Sequence, residues 1–131
     1  MNPYFLKVKN YLLELEYEIS HEDPDQNIIV VQDSNSGITN LVLGVADPIL
    51  ILEQYILEIV QENGEAYKLL LQKNRDIIHG AFVLDETGKK VIFRNTLELE
   101  NLDLNEIEAS FNSLSLLLSE YSNDLIKFSK S

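Results

Sequence analysis

Four residues near position 20 are of types that can act as ligands of divalent cations. They are His21, Glu22, Asp23 and Asp25. A metal site needs ligands that converge in a fixed geometry and are held by partners behind them. These four follow a predicted helix and surround Pro24, a pattern typical of a solvated loop. The sequence therefore predicts no metal site here.

The segment from Asp33 to Gly37 (Asp-Ser-Asn-Ser-Gly) resembles the beginning of a calcium-binding loop. Gly37 comes one position before the glycine of such a loop, and the twelfth position is Gly44 instead of a glutamate. The segment is therefore predicted to be a turn without calcium.

His79 is the remaining candidate for acid–base chemistry, at the start of a predicted strand. A general base needs a nucleophile or an acid within hydrogen-bond reach. The chain contains no Gly-x-Ser-x-Gly, Walker A, Rossmann glycine or His-Glu-x-x-His motif. His79 is interpreted as a structural or surface histidine, and we expect neither an enzyme nor a cofactor.

The charge of the chain narrows the classes of partner. Of 131 residues, 22 are acidic and 10 are basic, a formal net charge of -12, while 45% are hydrophobic. Nucleic acids and anionic membranes attract basic surfaces, so both are disfavoured as partners. The middle of the chain differs, because residues 61–94 contain 5 acidic and 6 basic side chains. We expect a folded, acidic domain that meets proteins.

The absence of cysteine and the hydropathy of the chain exclude further classes of site and of protein. With no cysteine, disulfide frameworks, thiolate metal sites and cysteine nucleophiles are excluded. No uninterrupted signal-peptide core precedes the acidic residues of the first segment, and no apolar run reaches the length of a membrane span. We expect a cytoplasmic protein that forms one domain over residues 1–131.

The elements that position these residues begin with a helix. Asn2 can cap it, Pro3 suits its first turn, and apolar residues recur at spacings of three and four as far as Ile19. This predicts about four turns. Residues 28–31 are β-branched and, with the turn that follows, predict a hairpin with residues 38–45.

Residues 47–63 fit two structures. Asp47 before Pro48 and apolar residues at helical spacing satisfy the rules for a helix. Their high content of isoleucine equally suits a strand with alternating faces, so the pattern alone leaves the choice open. The next segment, residues 65–77, is predicted to be a helix, and residues 79–84 and 90–94 a second hairpin with Gly88 at a positive φ.

The last helix has the strongest signal. Asp103 and Glu106 form a capping-box-like start, and apolar residues then recur at spacings of four and three as far as Phe128. Leu104, Leu116 and Leu117 widen the stripe beyond the narrow seam of a coiled coil. This favours packing of the helix on its own sheet.

Three stretches together resemble a known family. They are residues 67–74 (Tyr-Lys-Leu-Leu-Leu-Gln-Lys-Asn), 79–85 (His-Gly-Ala-Phe-Val-Leu-Asp) and 96–103 (Thr-Leu-Glu-Leu-Glu-Asn-Leu-Asp). A helix with Leu-Leu-x-x-Asn, a hairpin, a Leu-Asp link and a long final helix resemble the type III secretion chaperone-like superfamily. The chain looks closest to its Tir-chaperone (CesT-like) and YbjN-like branches.

The resemblance implies an α-β(3)-α-β(2)-α domain, an α+β two-layer fold with an antiparallel sheet, that binds protein and usually forms a homodimer. It also assigns residues 48–60 to the third strand. Secretion chaperones bind an extended effector segment across apolar patches and strand edges, whereas the YbjN-like branch is associated with stress or sensory regulation.

We therefore expect a non-enzymatic protein-binding domain, chaperone-like or regulatory. The partner is expected to contact apolar residues of the third strand, namely Ile49, Ile51, Tyr55 and Leu57. A long strand with apolar residues on both faces leaves surface to cover, so a homodimer is expected. The alternatives are a YbjN-like regulator without a secretion role, and a small-ligand-binding or enzymatic domain that uses His79 and nearby carboxylates.

Overall fold

The computed structural model describes residues 2–60 and 64–129, over which the chain forms one sheet and three α-helices. The elements, in chain order, are α1 (Pro3–Glu14), β1 (Glu18–Asp23), β2 (Ile28–Asp33), a 3-10 turn (Ser34–Ser36), β3 (Ile38–Ala46), β4 (Ile49–Glu58), α2 (Gly64–Asn74), β5 (Ala81–Leu84), β6 (Lys90–Glu98) and α3 (Leu104–Ser129). The predicted α+β fold with an antiparallel sheet is confirmed. Four strands, rather than the three expected, precede α2.

The six strands lie in the order β1-β2-β3-β4-β6-β5, and each neighbouring pair is antiparallel. Residues 49–58, within the segment whose pattern fits both a helix and a strand, form strand β4. This strand pairs with β3 on one side and with β6 on the other. Leu50 and Leu52 are fully buried, whereas Ile49 and Ile51 are partly exposed. Pairing on both sides satisfies the backbone of β4, and this alternation buries half of its apolar side chains.

A single hydrophobic core fills the space between the sheet and the helices. Helix α1 contributes Phe5 and Val8, α3 contributes Phe111 and Leu114, and α2 contributes Leu70. These side chains pack against the alternate, buried residues of the strands. The result is two layers, with the helices on one side of the sheet.

The first helix is shorter than predicted. It ends at Glu14, and Glu16, at a φ of 65°, takes part in the turn into β1. Ile19 lies four residues after Leu15 and so continues the helical spacing, yet it packs against the core from β1. The prediction of a helix as far as Ile19, followed by a loop, is wrong because β1 is held extended by its pairing with β2, which local periodicity does not reveal.

Local signals at the ends of elements are confirmed. The Asn2 side chain accepts a hydrogen bond from the Tyr4 N–H at 2.8 Å and caps α1. Gly88 has a φ of 75° in the hairpin between β5 and β6. The Asp103 carboxylate accepts a hydrogen bond from the Glu106 N–H at 2.9 Å at the start of α3. Each signal acts within a few residues, which is why the sequence alone reveals it.

Candidate functional site

The side chains first considered for metal binding lie apart. His21 and Glu22 are neighbours in β1, so their side chains point to opposite faces of the sheet. Glu22 forms an ion pair with Lys9 of α1, and its Oε1 lies 3.0 Å from Lys9 Nζ. His79 is exposed on the loop before β5. Nowhere in the described part of the chain do three His, Cys, Asp or Glu side chains come together as a metal site requires.

The segment that resembles a calcium loop is a self-contained turn. The Ser36 hydroxyl donates a hydrogen bond to the Asp33 carboxylate at 2.7 Å, and Gly37 has a φ of 78°. The carboxylate is thus used inside the turn, as expected of a structural element.

Two side chains have displaced pKa values, and both have structural causes. Burial raises the pKa of Tyr17, and the nearby carboxylates of Asp33 and Glu108 add to the effect. Its phenol therefore stays protonated at neutral pH and supplies no base. A hydrogen bond from the Thr87 hydroxyl, at 2.6 Å, lowers the pKa of Asp85 in the hairpin turn.

One face of the sheet packs on the helices, and the other is left uncovered by them. Paired residues of antiparallel strands point to the same side, so the register identifies the uncovered set. We call this surface the open face, and its apolar members are Ile28, Val30, Val42, Gly44, Ala46, Ile49, Ile51, Tyr55, Ala81, Val83 and Ile92. Uncovered apolar surface of this kind is typical of contact with another protein.

Gly44 forms a notch at the centre of the open face. It lies between Ile28 on β2 and Ile51 on β4, and a Cβ at this position would meet no atom within 4 Å. A glycine inside a strand often marks the close approach of another backbone or a ligand. Gly44 was missed as a site residue, although a glycine within the aliphatic segment 38–45 was the available signal.

Three of the four predicted contact residues lie on the open face. Ile49 and Ile51 are partly exposed, and Tyr55 is 53% exposed. Leu57 lies in the core instead. The register between β4 and β6 shifts between Tyr55 and Leu57, and the additional residue inverts the alternation of faces.

The open face carries carboxylates at one end of its strands, whereas at the other end Glu58 on β4 lies opposite Lys90 on β6. At its centre, Arg94 Nη1 on β6 lies 2.8 Å from Glu53 Oε2 on β4, so these two charges compensate each other. Asp23 lies opposite Ile28, and Glu98 lies opposite Ile49. Apolar surface flanked by carboxylates favours a partner that carries apolar residues with basic neighbours.

The two edges of the sheet are less suited to the addition of a strand. At the β5 edge, the Asn74 amide at the end of α2 accepts a hydrogen bond from the Phe82 N–H at 2.7 Å and donates one to its carbonyl at 3.1 Å. At the other edge, β1 is rich in charged residues and its register shifts between Ile19 and His21. Charges, irregular register and side-chain cover all oppose edge pairing.

No helix within the described ranges is long and apolar enough to cross a membrane.

Comparison with known proteins agrees with this architecture. The family model described as CesT_Tir_1 matches residues 1–131. No curated protein sequence matches the chain significantly.

Solved structures of similar fold span nearly the whole chain. YbjN from E. coli has a TM-score of 0.70 and 11% identity, with 91% of each chain covered. The Yersinia pestis type III secretion chaperone SycH, in complex with a fragment of YscM2, has a TM-score of 0.60 and 15% identity over 96% of this chain and 99% of that one. The ExsC–ExsE complex gives 0.57 and 20% identity, with 95% and 96% covered. At these identities the likeness shows a shared fold.

Proposed function

The chain belongs to the CesT_Tir_1 family, and from this membership we propose that it is a non-enzymatic protein-binding module with a chaperone-like role. The observation that carries the proposal is the open face, which is apolar, notched at Gly44 and flanked by carboxylates. Its partner is a protein segment with apolar side chains and basic neighbours. The segment crosses β3 and β4, and its backbone passes over the notch.

A regulatory role is the second candidate. The similarity to YbjN, at a TM-score of 0.70, exceeds the 0.60 for the secretion chaperone SycH. In the regulatory role, the open face binds one fixed protein partner and no secreted client. Both roles use the same surface, so identification of the partner distinguishes them.

The module is further proposed to be a homodimer formed through α2 and β5. Leu71 is 71% exposed and Leu84 is 42% exposed, and with Tyr67 they line a cavity of about 260 Å³. These residues lie within 61–94, where 5 acidic and 6 basic side chains nearly cancel. Two copies with a net charge of -12 meet there without strong repulsion.

A single domain over residues 1–131 in the cytoplasm completes the proposal. A chain without cysteine is compatible with a reducing compartment, because its fold requires no disulfide.

The open face is tested by blocking it without disturbing the fold. Gly44→Leu fills the notch, into which a side chain can extend because its Cβ meets no atom. Ile51→Glu places a charge beside it. Leu13→Glu is the matched control, since Leu13 is a 53% exposed aliphatic residue on α1. Circular dichroism verifies that all three variants are folded.

The measurement is capture of proteins from native lysate of the source cells, quantified by mass spectrometry for wild type and variants. We expect one dominant protein that wild type and Leu13→Glu retain and that both open-face variants lose. Equal capture by folded Gly44→Leu and wild type would contradict a role for the open face.

The homodimer is tested by light scattering after size exclusion at micromolar concentration. Wild type is expected at twice the chain mass of 15.0 kDa. Leu71→Glu is expected to be monomeric, and Leu13→Glu is expected to remain dimeric. A wild-type mass of one chain would refute the proposed dimer and leave the open-face proposal intact.

A further inference from the structure

A second apolar site lies on the helical side of the molecule, between α3 and the loop that joins α2 to β5. Its cavity of about 350 Å³ is formed by aliphatic side chains from both elements and has carboxylates at its rim. The residues that matter here are Asp76, Ile77, Ile78, Leu116, Leu117 and Glu120.

The walls of this cavity are unusually exposed for aliphatic residues. Ile78 on the loop is 86% exposed, and Leu116 on α3 is 58% exposed. Leu116 is one of the three residues that widen the apolar stripe of α3. Its neighbour Leu117 joins the core, whereas Leu116 does not. Large apolar groups on both sides of a cavity are typical of a protein contact.

The charged side chains that line the cavity are two carboxylates. Asp76 and Glu120 are both exposed and line it, together with the imidazole of His79. Lys73, at the end of α2, is already bound to Asp124 at 3.2 Å, and its Nζ lies 3.8 Å from the centroid of the Tyr121 ring. This ammonium group is therefore engaged, and the rim carboxylates remain available to a positive ligand.

We propose that this cavity binds a positively charged amphipathic helix of a partner protein. An aliphatic side chain of that helix enters between Ile78 and Leu116, and a lysine or arginine one turn away meets Asp76 or Glu120. Such pairing of an apolar anchor with flanking charges is the usual way a helix docks in a groove. In the proposed homodimer a second copy of this chain is assigned to the surface of α2 and β5, so a different protein is expected here.

The site goes beyond the proposed function, because it is separate from the open face and lies on the other side of the sheet. It gives the module a second contact point, so one partner can engage both sides or two partners can bind together. In both arrangements the cavity is occupied.

The probe is a synthetic peptide of about 18 residues, five turns of helix, with leucine on one face and lysine on the other. A scrambled peptide of the same composition removes the apolar face and keeps the charge. Binding to the full chain is followed by fluorescence anisotropy, and the site is located by amide chemical shifts of ¹⁵N-labelled protein. We expect shifts at residues 76–79 and 109–121, and weaker binding of the scrambled peptide.

Two variants test the two halves of the proposal. Leu116→Ser removes the apolar wall and is expected to weaken binding about tenfold, with Leu13→Ser as a control of similar exposure. The double variant Asp76→Asn with Glu120→Gln is expected to weaken binding about three- to tenfold and to reduce its dependence on salt. Glu14→Gln with Glu18→Gln is the control for loss of two charges.

Equal binding of the scrambled peptide, equal loss in the control variants, or shifts confined to the open face would each overturn the inference. Ile51→Glu separates the two sites: it is expected to bind the peptide like wild type, even if it loses the partner captured through the open face. Failure of the peptide experiment therefore leaves the proposed function untouched.

Discussion

Asn74 closes one edge of the sheet with a side chain in place of a neighbouring strand. Its amide accepts a hydrogen bond from the Phe82 N–H at 2.7 Å and donates one to the Phe82 carbonyl at 3.1 Å. Each such bond contributes about 1 kcal/mol net to the free energy of unfolding. Asn74→Ala is therefore expected to lower that free energy by about 2 kcal/mol, which lowers Tm by about 6–10 °C in a domain of this size.

A second variant separates the two bonds. In Asn74→Asp the carboxylate still accepts from the Phe82 N–H but cannot donate to the carbonyl, so we expect a loss of about 1 kcal/mol or more. Urea unfolding gives the free energy, and amide hydrogen exchange reports whether the Phe82 N–H opens faster. Asn123→Ala, at an exposed position of α3, is the control that should change little.

The reasoning would be refuted by an Asn74→Ala variant that melts within about 2 °C of wild type with unchanged exchange at Phe82. Water would then form hydrogen bonds with the Phe82 N–H and carbonyl as favourably as the Asn74 amide does. The asparagine of the Leu-Leu-x-x-Asn pattern would not be explained by this contact.

Three further variants are expected to change the stability of the protein. Phe111→Ala removes a fully buried ring from α3 and should cost about 3–5 kcal/mol in thermal or urea melts, against less than about 1 kcal/mol for the exposed Leu116→Ala. Gly80→Ala should destabilise the protein by more than about 2 kcal/mol in the same melts, because Gly80 has a φ of 109° and a Cβ there would lie 2.5 Å from an aromatic ring of β6. Thr87→Val removes the main cause of the lowered pKa of Asp85, so the NMR titration of Asp85 should move to higher pH. A lowered folded pKa contributes stability above the unfolded pKa that is lost as the pH falls through the folded value, so Thr87→Val should flatten the acid limb of the stability profile.

The sequence predicts most of this fold wherever the determining contacts are local. Helix α3 follows from the spacing of its apolar residues, and the hairpin of β5 and β6 follows from Gly88. Strand β1 does not follow, because its charged residues carry no strand pattern and only pairing with β2 holds them extended. Ile19 illustrates the ambiguity, since the same side chain fits the next turn of a helix and the inner face of a strand.

For the same reason, the sequence predicts only part of the geometry of the candidate site. Ile49, Ile51 and Tyr55 share a face because alternation is a local rule. Leu57 departs from them because the register of β4 against β6 shifts, and a shift of this kind is decided by the partner strand. Gly44 gains its meaning only from the neighbours that register places on either side of it.

The central position of β4 makes the open face rigid. Because β4 is hydrogen-bonded to strands on both sides, its outward residues are held in place before any partner arrives. Ile28, Ile49 and Ile51 are β-branched, so they have few rotamers to lose on contact. This chain therefore loses little conformational entropy on association, and the ordering that accompanies binding falls on the partner segment. In the proposed binding, the surface would act as a rigid template on which a flexible partner segment takes its shape.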